Sequence, residues 1–225
     1  MGVRERRERE KRELRRMIMD AARRIFVEEG YENVSMRRIA EAIEYSPTAI
    51  YVHFKDKATL FAEIMRQDFD RLASRFGKVA GVADPVERIR ALGLEYVRFG
   101  VEHPHHYKLM FMTAPVLDDA ELRRHAEVRR EHRGDPSHDA YALLRLAVVE
   151  ALEAGRFRRE LTDPELISQT LWAGVHGVTA LQVTMHDDPW LQWRPIRQRA
   201  ALMVDVLMRG LLPTSSAGTG EREQS

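Results

Sequence analysis

The side chains best suited to recognition chemistry are concentrated between Ser35 and Leu60, SMRRIAEAIEYSPTAIYVHFKDKATL. The stretch contains a short amphipathic helix, a tight break, a second short helix opened by Ser46-Pro47, and a third opened by Asp56-Lys57. Two short helices joined in this way have the layout of a DNA-binding helix-turn-helix, so the chemistry to expect is non-covalent recognition of a duplex. Ser35 is placed to cap the first of these helices, whose core face is Ile39, Ala42 and Ile43. Ser46 is placed to cap the second, with Pro47 at the first helical position, where its missing N–H is harmless. Ile50 and Phe54 lie four apart and face inward, which leaves Thr48, Ala49, Tyr51 and His53 on other faces.

Other chemistries find less support. No nucleophile–base motif, glycine-rich phosphate loop or metal-spaced cluster is present, so the chain is not expected to be an enzyme. There is no cysteine, hence neither a disulfide framework nor a thiolate metal site. His103, His105 and His106 crowd around Pro104, but zinc needs ligands converging from separate elements, and an exposed turn is the simpler reading. No metal and no cofactor is expected.

The elements that position these residues are helices. Apolar residues at Leu14, Ile18, Ala21, Ala22, Ile25 and Phe26 form one face of a helix that Gly30 ends. A longer helix follows Asp56, with Leu60, Phe61, Ile64, Met65, Phe69, Leu72 and Phe76 inward. Asp84-Pro85, His103-Pro104, Asp163-Pro164 and the segment after Pro195 start further helices. The helix from Pro164 is apolar nearly all round (Leu166, Ile167, Leu171, Trp172, Val175, Val178, Leu181), a pattern that predicts burial on most sides. No segment alternates with period two for long enough to make a strand. The expected fold is all-α, with about nine helices.

The spacing suggests four regions: a charged N-terminal extension over 1–13, a helix-turn-helix domain over 14–60, a larger helical domain over 61–213, and a polar, disordered tail over 214–225. Residues 118–133 are mostly charged and fit either an exposed helix or a mobile segment. Lys plus Arg number 36 and Asp plus Glu 35, so the whole chain does not announce a nucleic-acid binder and local charge matters more. Residues 1–16 carry eight basic and four acidic side chains, a net charge of +4. They fit either a solvated helical extension or a basic arm lying along DNA phosphate. No apolar run approaches the ~20 residues that span a bilayer, and no apolar signal core opens the chain, so a soluble cytoplasmic protein with no membrane partner is expected.

Three runs, Ser35-Met36-Arg37-Arg38-Ile39-Ala40, Ser46-Pro47-Thr48-Ala49-Ile50-Tyr51 and His53-Phe54-Lys55-Asp56-Lys57, resemble the TetR family of bacterial repressors over about residues 14–65. Trp172-Ala173-Gly174-Val175-His176-Gly177 is similar to the Trp…His-Gly signature of one subgroup. The break between the short helices usually carries glycine in that family. Here it carries Glu44, which implies either a turn without positive φ or a strained one.

The resemblance implies that Ser46 to His53 is a recognition helix in the major groove. Thr48 would reach a base edge or phosphate, and Ala49 a thymine methyl. Tyr51, His53 and Lys57 would donate to phosphates, while Ser35 with Arg37 or Arg38 would grip phosphate at the start of the preceding helix. Tyr51 and His53 packing only on neighbouring helices is the competing reading.

Trp172 and His176 are open to two readings, dense helix packing or a ligand pocket lined by Tyr96, Phe99, Tyr107, Met110, Phe111, Tyr141, Trp172 and His176. The last two helices would form an interface with a second copy, or Leu202, Val206 and Leu211 would merely complete one chain's core. The function so implied is a homodimeric repressor of a near-palindromic operator, released by a small apolar or aromatic effector. The helix from Asp56 to Phe76 would transmit the signal. The alternatives are an activator or ligand-independent regulator, and, further off, a helical carrier or enzyme.

Overall fold

The computed structural model describes residues 2–113 and 133–213. Among the described residues there are nine α-helices and no strand: α1 (Val3–Glu29), α2 (Met36–Ala42), α3 (Pro47–Tyr51), α4 (Lys57–Gly77), α5 (Pro85–Glu102), α6 (Pro104–Phe111), α7 (Ala140–Glu153), α8 (Pro164–Met185) and α9 (Ile196–Leu211). The tail 214–225, and residues 118–132 of the charged stretch, lie outside the described residues. The N-terminal extension is helical and continuous with α1 from Val3.

Local sequence sets most helix starts. The Ser35 hydroxyl accepts from the Arg38 N–H at 3.1 Å, and that of Ser46 from the Ala49 N–H at 3.3 Å. Asp56 accepts from the Thr59 N–H at 2.7 Å, and Asp163 from the Glu165 and Leu166 N–H groups at 2.8 and 3.2 Å. Each of these bonds satisfies a donor that the first helical turn would otherwise leave without a partner.

The chain divides into two compact units, 1–75 with 99–140, and 76–98 with 141–225. The expected boundary after residue 60 differs from this division: α4 as far as Arg75, the end of α5 and all of α6 belong to the first unit. The first unit is built on Ile18, Ile25, Phe26, Ile39, Ile50, Phe54, Leu60 and Ile64, all essentially inaccessible to solvent, with Leu109 of α6 in the same cluster. Each such side chain contributes roughly 1.5–3 kcal/mol of transfer free energy. The rings of Phe26, Tyr31 and Phe61 pack with centroids 4.9–5.7 Å apart. A buried pair fastens α1 to α4: the Arg23 guanidinium donates to both oxygens of Asp68, at 2.9 and 2.8 Å.

In the second unit α8 packs on α9. Gly174 makes this close approach possible, because a Cβ there would stand 2.6 Å from a Leu207 methyl. The expectation that α8 is buried on most sides is corrected. Ile167, Leu171, Val175 and Val178 are buried, but Leu166 is 60% exposed and Leu181 45% exposed. Among the described residues the helix is covered on one side only. Leu202 and Val206 of α9 are likewise exposed, whereas Leu211 is buried in the core.

Candidate functional site

The two short helices present the arrangement that recognition of a duplex requires. Ile39, Ala40, Ile50 and Phe54 hold α2 and α3 against α1 and α4, while Ala42 and Ile43 are partly buried. Outward from that base, Arg37, Arg38, Ser46, Pro47, Thr48 and Tyr51 are exposed and Ala49 is half-buried. Tyr51, at 54% exposure, does not serve the core.

The break between the helices takes the strained alternative. Glu44 has φ 59°, and among the described residues it is the one non-glycine residue in the left-handed region. Its N–H donates to the Glu41 carbonyl at 3.2 Å, and the Tyr45 N–H to that of Ala40 at 3.0 Å. These two bonds are those of a Schellman C-cap, with glutamate at the position that glycine usually fills. The turn therefore keeps the geometry that glycine would give and carries an exposed carboxylate beside the recognition helix.

Several expected phosphate donors already have a partner inside the protein. The Lys57 ammonium donates to the Tyr31 carbonyl at 2.8 Å and lies 4.2 Å from the centre of the Tyr31 ring. Two of its three N–H groups are not used in that bond. Arg37 pairs with Glu41 at 3.0 Å and Arg38 with Glu29 at 2.6 Å, surface contacts of small energy that leave further guanidinium donors available. His53 is half-buried, and burial, followed by the charges of Arg15 and Lys11, holds its imidazole below the ordinary range. Arg15 is a residue that the motif reading missed. It donates to the His53 carbonyl at 2.9 Å and covers the Phe54 ring at 4.2 Å, so α1 braces the end of the recognition helix. Its place in the stripe of α1, one turn before Ile18, could have revealed it.

The aromatic residues expected around a ligand divide between the units. Phe99, Tyr107, Met110 and Phe111 belong to the first, where Phe111 meets Phe69 with centroids 5.8 Å apart and Tyr107 at 5.3 Å. Tyr96, Tyr141, Trp172 and His176 come together in the second. The Tyr96 hydroxyl and His176 Nδ1 are 2.9 Å apart. Trp172 lies 6.1 Å from both the Tyr141 and His176 rings. Tyr141 donates to Glu165 at 2.7 Å, and burial together with that carboxylate pushes its hydroxyl up to about 12. Burial lowers His176, which favours the neutral ring. The cluster therefore presents aromatic faces and uncharged polar atoms, with the charged pair Arg145–Glu165 beside it.

No group of three or more His, Asp or Glu side chains placed to hold a metal ion occurs among the described residues. No helix among them is long and apolar enough to cross a membrane.

Comparison with known proteins agrees with this geometry. Residues 18–64 match the model of the bacterial regulatory proteins of the tetR family, and residues 89–207 match that of the tetracyclin repressor-like C-terminal domain. The chain is 44% identical over 149 residues to the HTH-type transcriptional repressor Rv1474c of Mycobacterium tuberculosis, covering 65% of each protein. It is 44% identical over 122 residues to the HTH-type transcriptional repressor AcnR of Corynebacterium diphtheriae, covering 49% of this chain and 62% of that one. The match thus spans somewhat less than two thirds of these relatives' length. The solved structure of AibR in complex with isovaleryl coenzyme A and operator DNA superposes with a TM-score of 0.67 at 21% identity, over 86% of this chain and 97% of that one.

Proposed function

The chain belongs to the tetR family of bacterial regulatory proteins, and from that premise we propose that it is a homodimeric repressor, released from a near-palindromic operator by a small apolar or aromatic effector. The observation that carries the DNA-binding part is the split of Ser35–Lys57 into a buried aliphatic base and an exposed face of Arg37, Ser46, Thr48 and Tyr51. On this reading Thr48 and Ala49 contact bases, while Ser35, Arg37, Arg38, Tyr51, His53 and Lys57 hold phosphates.

Dimerisation is supported by the uncovered sides of α8 and α9. Leu166, Thr170, Ala173, Gly177, Leu181 and Thr184 follow one another at helical spacing along α8 without a charge, and Leu202 and Val206 are exposed on α9. Two such helices from each of two copies would bury this apolar surface and place two recognition helices on one side of the duplex. The effector site is the cluster of Tyr96, Tyr141, Trp172 and His176, whose flat apolar faces and few polar atoms suit a small apolar or aromatic molecule. Release requires the effector to prefer one of two states of the dimer. Both curated relatives carry the name repressor, and AibR was solved with both a small molecule and operator DNA.

The test is selection of bound sequences from a random DNA pool at low salt, followed by a compound screen for release. The expected result is a recovered site with two-fold symmetry, whose binding Tyr51→Ala weakens for all sequences and whose release Trp172→Ala abolishes while affinity without compound is kept. Failure of the protein to retain any DNA at low salt overturns the reading.

A further inference from the structure

We propose that the N-terminal part of α1 is a second DNA-contacting element, in which Arg4, Arg7 and Lys11 hold duplex phosphates flanking the site read by α3. This rests on the DNA-binding reading above but concerns residues outside the helix-turn-helix. The argument begins with how charge is distributed around the helix. At about 100° per residue, Arg4, Arg7 and Lys11 project within about 80° of Arg15. They continue the stripe that carries Ile18, Ala22, Ile25 and Phe26 further along, and those residues are buried in the core of the first unit. Arg15 sits where the stripe changes from core to solvent, on the His53 carbonyl and the Phe54 ring. The stripe therefore leaves the protein beside the end of the recognition helix and runs on for roughly 16 Å from Arg15 to Arg4. The influence of Lys11 on the His53 imidazole agrees with that placement.

The opposite side of the same segment is different. Arg6 pairs with Glu10 at 2.8 Å, Arg9 with Glu13 at 3.8 Å, and the Gly2 N–H donates to Glu5. Among the described residues no hydrogen bond or ion pair engages Arg4, Arg7 or Lys11. Glu8 is the one carboxylate on their side. Intrahelical pairs thus neutralise Arg6 and Arg9, whereas Arg4, Arg7 and Lys11 are unpaired cations on the face continuous with the DNA interface. An anionic rod with phosphates at regular spacing complements such a row, and each phosphate contact releases a condensed counterion.

The experiment compares two double variants of equal charge change in the full-length protein, Arg7→Gln/Lys11→Gln and Arg6→Gln/Arg9→Gln. Glutamine keeps helix propensity, and circular dichroism checks that helix content is retained. Binding is measured from 50 to 200 mM salt on the selected site, once with short and once with extended flanks. The proposal expects Arg7→Gln/Lys11→Gln to lower the slope of log K against log salt by about two per bound chain, and to remove the gain that extended flanks give the parent protein. The partnered-face variant is expected to behave like the parent. Equal losses in both variants would reduce the effect to net charge and overturn the proposal, as would no loss in either. A loss seen on anionic phospholipid vesicles instead of DNA would assign the face to another partner and also overturn it. If the arm variants bind as the parent does while Tyr51→Ala still weakens binding, the arm proposal alone fails. If the parent binds no DNA, the repressor reading fails and takes this one with it.

Discussion

Glu44 is where the cost of a single residue is most visible. A side chain with a Cβ at φ 59° pays roughly 1 kcal/mol that glycine would not. The two Schellman bonds to Glu41 and Ala40 hold it there. Glu44→Gly is therefore expected to raise the free energy of unfolding by about 1 kcal/mol, measured by chemical denaturation. It should also tighten non-specific DNA binding, since a carboxylate beside the recognition helix is removed. Unchanged or lower stability would mean that the turn is not strained in solution.

At the scale of elements, the first unit depends on how α1, α4 and α6 share a buried polar cluster. Burial pushes the Asp68 carboxyl above its ordinary value, and the bidentate Arg23 guanidinium opposes that shift. His106 of α6 stands 3.8 Å from the same carboxylate. Burial, then the charges of Arg23 and Arg71 and of His103 and His105, push its imidazole down to about 3. The unfolded chain takes up this proton near its ordinary 6.5, whereas the folded chain does so only near 3. The unfolded state therefore binds more protons between those values, and this contribution to stability is complete above about 6.5 and declines as pH falls toward 3. Subtracting the stability–pH curve of His106→Asn from that of the parent isolates the histidine from Asp68. The difference should grow in the parent's favour from pH 4 to 6.5, and a flat difference would refute a buried neutral ring.

For the whole molecule, the question is what covers α8 and α9. Leu202 is 65% exposed and outside the core of the described residues, so Leu202→Glu should leave helix content unchanged. If α8 and α9 meet a second copy, the variant places charges in an apolar interface, and sedimentation should show a shift from dimer to monomer. Operator affinity should fall with it, because one chain presents one recognition helix. A dimer that survives the substitution would move the interface elsewhere. Gly177 serves the same argument, since no described residue lies within 4 Å of the space a Cβ would fill, unlike Gly174 against Leu207.

By itself the sequence determined the helices and the local shape of the recognition unit. Ser35, Ser46, Asp56 and Asp163 cap as their types and positions predict, and Ile39, Ile50 and Phe54 are buried as their spacing requires. Caps and helical stripes are interactions over a few residues, so a window of the chain contains both partners. Glu44 lay at the limit of this logic: the missing glycine was legible, but which of two turns resulted depended on how the chain closes on Ala40 and Glu41. Only the tertiary structure paired Arg23 with Asp68, 45 residues away, set Lys57 on Tyr31, and brought Tyr96 to His176, 80 residues away. It also assigned the eight expected pocket residues to two units, and among the described residues it left one side of α8 uncovered. These outcomes turn on which surfaces meet after the chain has folded back, and a one-dimensional pattern shows that a side chain is apolar or charged without showing what it packs against.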